Sequence, residues 1–221
     1  ARRLGLRGIP AAAERVATER VLGAVEKNGG RLHVQHVSTR GALNAVRRAK
    51  DAGLPVTCEV TPHHLFLTQK DVVESARAGA PDPNLKMNPP LRSRKDLDAL
   101  RQGLSDGSVD AIASDHAPHT RDSKARGFAR APFGVTGLET TLSLVLRLVE
   151  EGVVGLERGV ELVSASPAEI LGLEAGSLRP GSPADVTIVD PDKGWRVEPD
   201  EMLSRSANTA FAGWHLPGRV K

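Results

Sequence analysis

The chain has 221 residues, of which 26% are charged and 3% aromatic, with a formal net charge of +3. That length can bury a sizeable core in one domain, or in one domain plus an appendage. Acids and bases interleave without a run of five like charges and with few aromatics between them, which speaks for a solvated arginine-rich surface and against a nucleic-acid groove.

In chain order, Pro10 suits the first turn of a helix that runs to residue 28. Val16, Val21, Leu22 and Val25 make its apolar stripe, and Gly29-Gly30 stops it. Leu32 to Val37 reads as a buried strand, and Thr39 caps a helix through Lys50 that ends by Gly53. Pro55 to Val60 is a second strand, followed by the turn-prone Thr61-Pro62. Thr68 or Asp71 opens another helix, residues 81–92 are proline-rich and irregular, and Arg94 to Leu104 is helical. Val109 to Ser114 is a third strand; a polar loop and a helix of about 15 residues from Gly137 to Glu151 follow. Short apolar strands alternating with helices predict an α/β fold with a parallel sheet. The segment LVSASPAEILGL reads as helical, and the alternating ADVTIVD as a strand. Residues 1–174 are therefore expected to form the α/β portion and 175–221 a small β-rich C-terminal segment.

Cys58 is the only cysteine, which leaves no internal disulfide and fits a cytoplasmic location. No apolar stretch approaches the roughly 18 residues of a membrane span. The opening ARRLGLRGIP has two leading arginines but no apolar core for a signal peptide and no initiator methionine, so the chain is expected to be a piece of something longer.

Chemistry gathers at the carboxyl ends of the three strands. The first ends in His36, Ser38 and Thr39; the second in Thr61-Pro62-His63-His64; the third in SDHAPH, residues 114–119. Five of the seven histidines thus lie at one end of the sheet, the end where the loops of α/β barrels build active sites. Neutral imidazoles with a carboxylate suit zinc or a related divalent ion, and the cluster predicts metal-assisted hydrolysis. Ser38 and Ser114 lack a nucleophile-elbow context, Cys58 reads as a small core residue, and no glycine-rich nucleotide motif occurs.

HVQHVST, EVTPHHL, KMNPPLR, SDHAPH and APFG, in this order, together with the tail GSLRPGSPADVTIVD, resemble dihydroorotases of the amidohydrolase superfamily. The resemblance implies the C-terminal part of a (β/α)8 barrel, its strands six to eight, with a small β appendage. It implies a zinc centre, of two ions in the complete enzyme, and the reversible cyclisation of N-carbamoyl-L-aspartate to L-dihydroorotate in pyrimidine biosynthesis. Matched motif by motif, His36 corresponds to a metal ligand and Asp115 to a ligand that is also the general acid/base. Asn88, His119, Phe133 and Gly134 correspond to substrate contacts. The partner implied is a small-molecule substrate, with no nucleic acid and no membrane, and either a homo-oligomer or aspartate transcarbamoylase as protein partner.

Under this reading His63 and His64 are supporting groups, His116 is structural, and strand alternation turns His33 away from the centre occupied by His36. The family's His-x-His pair, its bridging lysine or aspartate and a further histidine have no counterpart here, so these residues alone are expected not to assemble a metal pair. Two alternatives stay open. One is another cyclic amidase, such as a dihydropyrimidinase, hydantoinase or allantoinase. The other is an inactive dihydroorotase-like scaffold that binds aspartate transcarbamoylase.

Overall fold

The computed structural model describes residue 1 and residues 4–221. The leading arginines Arg2 and Arg3 lie outside the described residues. Strands β1 (Leu32–Val34), β2 (Val56–Val60) and β3 (Ala111–Ile112) form a parallel sheet in that order, with Leu32 opposite Val56 and Glu59 opposite Ala111. Helix α1 (Ala11–Asn28) precedes β1, and α2 (Arg40–Asp51) joins it to β2. Between β2 and β3 lie α3 (Pro62–Phe66), α4 (Gln69–Arg77) and α5 (Arg94–Ser105). Beyond β3 come α6 (Arg121–Lys124), α7 (Leu138–Glu150), α8 (Leu156–Val163) and α9 (Ala165–Leu171).

The helix starts follow from side chains that can serve exposed amides. Thr39 Oγ1 accepts from Ala42 N at 3.1 Å. Thr68 with Asp71 opens α4 and Ser93 with Asp96 opens α5, each as a reciprocal capping box. Thr61-Pro62, read as a turn, instead opens the short helix α3, because proline at the first helical position lacks only an amide that would be unpaired there. The helical LVSASPAEILGL is interrupted at Ser164, whose φ of −134° and ψ of −78° break it into α8 and α9. Pro167 then falls in the first turn of α9, where its missing amide costs nothing.

Two of the four valines and leucines assigned to the α1 stripe face solvent: Val16 and Val21 are exposed. The buried face instead runs through Glu14, Thr18, Leu22 and Val25, the line that packs on α2. The polar members of that line escaped a reading by hydrophobicity alone.

The first and third strands are shorter than expected as ladders, but the pairing continues past them. Asp110 N donates to Cys58 O and Ala113 N to Val60 O, both at 2.9 Å, while Val37 N donates to Glu59 O at 2.9 Å. What interrupts β1 is His36, whose φ of +53° bends the chain out of the pleat. In the tail, ADVTIVD pairs only through β4 (Val189–Asp190), antiparallel to β7 (Arg219–Val220); β5 (Trp195–Arg196) pairs with β6 (His215–Leu216). Val186 and Ile188 are exposed, and among the described residues no strand lies against them to draw the alternation into a longer ladder.

One buried cluster joins Leu43 and Val46 of α2, Cys58 and Val60 of β2, and Leu100 and Leu104 of α5. A second joins Leu67, Met87 and Leu144 to Val197, Phe211 and Leu216 of the tail. Helices α2 and α5 meet closely at Gly103, where an added Cβ would lie 2.9 Å from both Leu43 Cδ2 and Val109 Cγ2. Leu43 is fully buried at this crossing. Leu43→Ala is expected to cost about 2–5 kcal/mol, since the lost transfer energy is joined by a cavity that packed helices cannot close. Denaturant unfolding reads this as a lower midpoint at unchanged slope. No helix of the described residues is long and apolar enough to cross a membrane.

Candidate active site

Both ends of the sheet's outer strands turn through the left-handed region at a residue with chemistry: His36 at φ +53° and Asp115 at φ +47°. Such backbone is rare away from glycine and persists only where its surroundings hold it. The two turns bring His36 Nε2 to 3.8 Å from Asp115 Oδ1 across β2. His63, from the first turn of α3, is buried and places its Nε2 3.9 Å from Asp115 Oδ2; that nitrogen has no hydrogen-bond partner among the described residues.

Glu59 completes the group, and the sequence reading passed over it. His33 Nε2 lies 3.1 Å from its Oε2, and His36 Nδ1 2.8 Å from its Oε1. The His36 approach is close without being aligned as a hydrogen bond, so its attraction is mainly one of charge. Both imidazoles thus meet one carboxylate. The expectation that alternation separates His33 from His36 fails because the left-handed turn at His36 resets the alternation. The available signal was a glutamate inside the otherwise apolar strand VTCEV, since a buried carboxylate requires partners.

The charges bias one another. Burial alone would raise Glu59, but the His33 and His36 imidazoles together outweigh it and hold the carboxyl at about 2. The Glu59 carboxylate raises His36, with burial opposing and Asp115 adding to the rise. Burial raises Asp115, His36 opposes, and the Glu59 charge adds. His63 is driven well below its ordinary value by burial, with His64 and His36 as neighbours, and is a neutral imidazole.

The pair makes a stability prediction for chelator-treated protein. Glu59 is depressed from 4.5, so its contribution is present above 4.5 and lost as pH falls towards 2. His36 is raised from 6.5, so its contribution is full below 6.5 and lost as pH rises beyond its folded value. Unfolding free energy should therefore rise by on the order of 3 kcal/mol at most between pH 2 and 4.5, at about 1.4 kcal/mol per pKa unit, hold that gain to pH 6.5, and decline above it as the His36 contribution is lost. Denaturation of Glu59→Gln across pH 2–8 should lack this shoulder.

The other sequence-assigned residues form a second group. His119 Nε2 meets Phe133 O at 2.8 Å, and Gly134 N donates to Lys86 O at 2.8 Å, two residues before Asn88. The Phe133 carbonyl and the Gly134 amide, assigned to substrate, are thus each engaged within the chain. Lys86 Nζ lies 4.6 Å from the Phe133 ring centroid. Asn88 is exposed on the segment between the groups. His64 supports that segment: Nδ1 bonds Thr61 Oγ1 at 2.7 Å and Nε2 meets Pro89 O at 3.0 Å, while burial holds the ring near 4. His116 Nδ1 accepts from Gly137 N at 3.2 Å at the start of α7, a structural task.

Asn208, in the tail, is a positioning group absent from the sequence reading. Its Oδ1 accepts from His119 N at 3.1 Å and its Nδ2 donates to Ala117 O at 2.9 Å. Cys58 is buried, with its thiol pushed up to about 12 by burial, and is no nucleophile. A cavity of about 900 Å³ is lined by Leu6, Ile9, Val72, Met87 and Phe133 but by none of His36, Glu59, His63 or Asp115, so volume alone would misplace the chemistry.

Two ligands of one tetrahedral zinc stand about 3.4 Å apart, so His36 Nε2 and Asp115 Oδ1, at 3.8 Å, fit one ion with a shift of a few tenths of an ångström. No group of three or more histidine, cysteine or acidic side chains among the described residues is arranged to hold an ion. The pair fits as part of a centre, not as a whole one.

A buried carboxylate and imidazoles at the carboxyl ends of parallel strands are a hydrolase's equipment, and residues 15–221 match the model of the amidohydrolase family, to which the chain belongs. It is 50% identical over 219 residues to a dihydroorotase of Anaeromyxobacter dehalogenans, covering 99% of this chain and 50% of that one. It is 48% identical over 215 residues to a dihydroorotase of Geobacter metallireducens, covering 97% of this chain and 49% of that one. The chain therefore spans about half the length of these curated relatives, and the resemblance read from its motifs is borne out. Among solved structures, an L-hydantoinase (dihydropyrimidinase) from Arthrobacter aurescens superposes with a TM-score of 0.87 at 33% identity, over 96% of this chain and 47% of that one.

Proposed function

We propose that the chain is the substrate-facing portion of a dihydroorotase, which interconverts N-carbamoyl-L-aspartate and L-dihydroorotate in pyrimidine biosynthesis. The observation that carries this reading is the approach of His36 Nε2 to Asp115 Oδ1 at 3.8 Å, from left-handed turns on two strands that flank β2. In the same reading β1, β2 and β3 are strands six, seven and eight of a (β/α)8 barrel, and residues 175–221 are its small appendage. The free, buried Cys58 suits a reducing cytoplasm as its setting.

His36 and Asp115 would hold zinc together with donors outside these residues. When bound, the metal supplies an acidified water and polarises a carbonyl. Asp115 accepts a proton at its carboxylate and returns it to the nitrogen released from the ring. Glu59 holds the His36 ring so that Nε2, not Nδ1, faces Asp115. Asn88 and His119 meet the substrate carboxylate, and the Phe133-Gly134 backbone borders the ring. Because His119 Nε2 is engaged by Phe133 O, Nδ1 is the atom that reaches an anion, and it donates when the ring carries both protons. Retention of all these groups favours an enzyme over an inactive scaffold.

A second cyclic amidase reading draws on the superposition with hydantoinase structures. Substrate charge separates the two, because a carboxylate needs donors that an uncharged ring does not. The full-length protein should turn over dihydroorotate and carbamoyl aspartate but not hydantoin or dihydrouracil. His119→Ala should lower dihydroorotate hydrolysis by about 10–150-fold, the equivalent of roughly 1.5–3 kcal/mol for a charged hydrogen bond. Preference for the uncharged rings, or equal losses on both substrate types, would overturn the dihydroorotase assignment.

A further inference from the structure

Two residues outside the site as described tie its halves together. Glu14 lies on the buried face of α1. Its Oε1 accepts from Ser38 N at 2.8 Å, from Thr39 N at 3.0 Å and from Thr39 Oγ1 at 3.2 Å. Its Oε2 accepts from the Ser38 hydroxyl and from Arg92 Nη2 at 3.2 Å. Arg92 spreads its guanidinium over three partners, donating also from Nε to Ser38 Oγ at 3.0 Å and from Nη1 to Ile9 O at 2.7 Å. The Arg92 and Glu14 side chains are only 9% and 14% exposed.

The placement matters more than the number of bonds. Ser38 and Thr39 follow His36 by two and three positions, and Arg92 follows Asn88 by four. The carboxylate takes the Ser38 and Thr39 amides that lead into α2, at the helix end where the dipole favours a negative charge. Asp96 Oδ1 takes the first amide of α2 itself, Arg40 N, at 3.0 Å. The strained turn at His36 is therefore fixed from its C-terminal side by a group that belongs to another helix, as an over-determined backbone requires. On the far side of the Asn88 segment, His64 Nε2 meets Pro89 O and Gln69 N donates to Arg92 O at 2.8 Å.

We propose that Glu14 and Arg92 are positioning residues, a clamp that holds the His36 turn and the Asn88 segment in one register. It rests on the reading above that His36 is a metal donor and Asn88 a substrate contact. A helix cap would serve α2 alone. A clamp couples the metal side to the substrate side, because Arg92 links the Glu14 carboxylate to the segment that carries Asn88.

The test uses the full-length protein with Glu14→Gln and, as a milder change, Arg92→Lys, which keeps the charge but loses the planar fork. Backbone hydrogen exchange should quicken about tenfold or more in both residues 36–40 and residues 87–92 of each variant, with the core of β2 unchanged. Metal loss to a chelator should quicken by roughly 10–100-fold, the usual effect of removing a group that supports a ligand. KM for dihydroorotate should rise and kcat fall together. Exchange that quickens only in residues 36–40, with KM unchanged, would reduce Glu14 to a helix cap and overturn the clamp; so would wild-type exchange in both variants. His36→Ala separates the two claims. If it retains metal as firmly as the wild type, the donor assignment fails, while exchange in the Glu14 and Arg92 variants still decides the clamp.

Discussion

Asp115→Asn lowers turnover by about 10²–10⁴ in the full-length protein compared at equal metal content, while substrate affinity changes little. The range is that of removing a general acid/base. The substitution keeps the size and planarity of the side chain, so the left-handed turn survives; asparagine is among the residues that tolerate it best. What disappears is a carboxylate able to accept a proton and release it again. Its surroundings suit that exchange: burial raises the Asp115 carboxyl, His36 at 3.8 Å opposes, and the Glu59 charge adds to the rise. The measurement is kcat with metal quantified in the same samples. Near-normal turnover with full metal would route the proton elsewhere and leave Asp115 a ligand or a structural acid.

Residues 1–221 produced alone hold no tightly bound metal pair and show no measurable turnover of carbamoyl aspartate. The reason is a count of donors. A catalytic zinc takes three protein ligands and a second ion needs more, whereas His36 and Asp115 are the pair that fits one ion and no group of three is arranged to do so among the described residues. His63 does not make up the deficit. Its Nε2 faces the other oxygen of Asp115, at 3.9 Å, and its ring is packed in the interior. Equilibrium dialysis against zinc followed by elemental analysis checks the first half, and a coupled assay the second. Stoichiometric zinc with turnover would mean that the ligands have been misassigned.

Local chemistry is legible where one residue type answers one local need. Thr39 and Thr68 cap helices, and the apolar strands sit within a few residues of their expected places, because capping and burial act over one or two turns. The His36 and Asp115 motifs lie at strand ends for the same reason. Glu59, Glu14, Arg92 and Asn208 were not legible. A lone acid, base or amide in a sequence reads as solvated surface, and each of these becomes informative only when its partner, between 23 and 91 positions away, is known.

The sequence by itself determined the alternation of strands and helices and the loops on which the chemistry is carried, since both are written in short-range patterns of burial and turn preference, while the family was legible through its motifs. Only the tertiary structure decided which groups meet. It put His33 and His36 on one carboxylate against the strand alternation, emptied the α1 stripe of Val16 and Val21, and brought a tail asparagine under His119. The physical reason is that a buried charge or a strained turn is stable only with particular partners, and folding supplies those partners from segments far away in the chain.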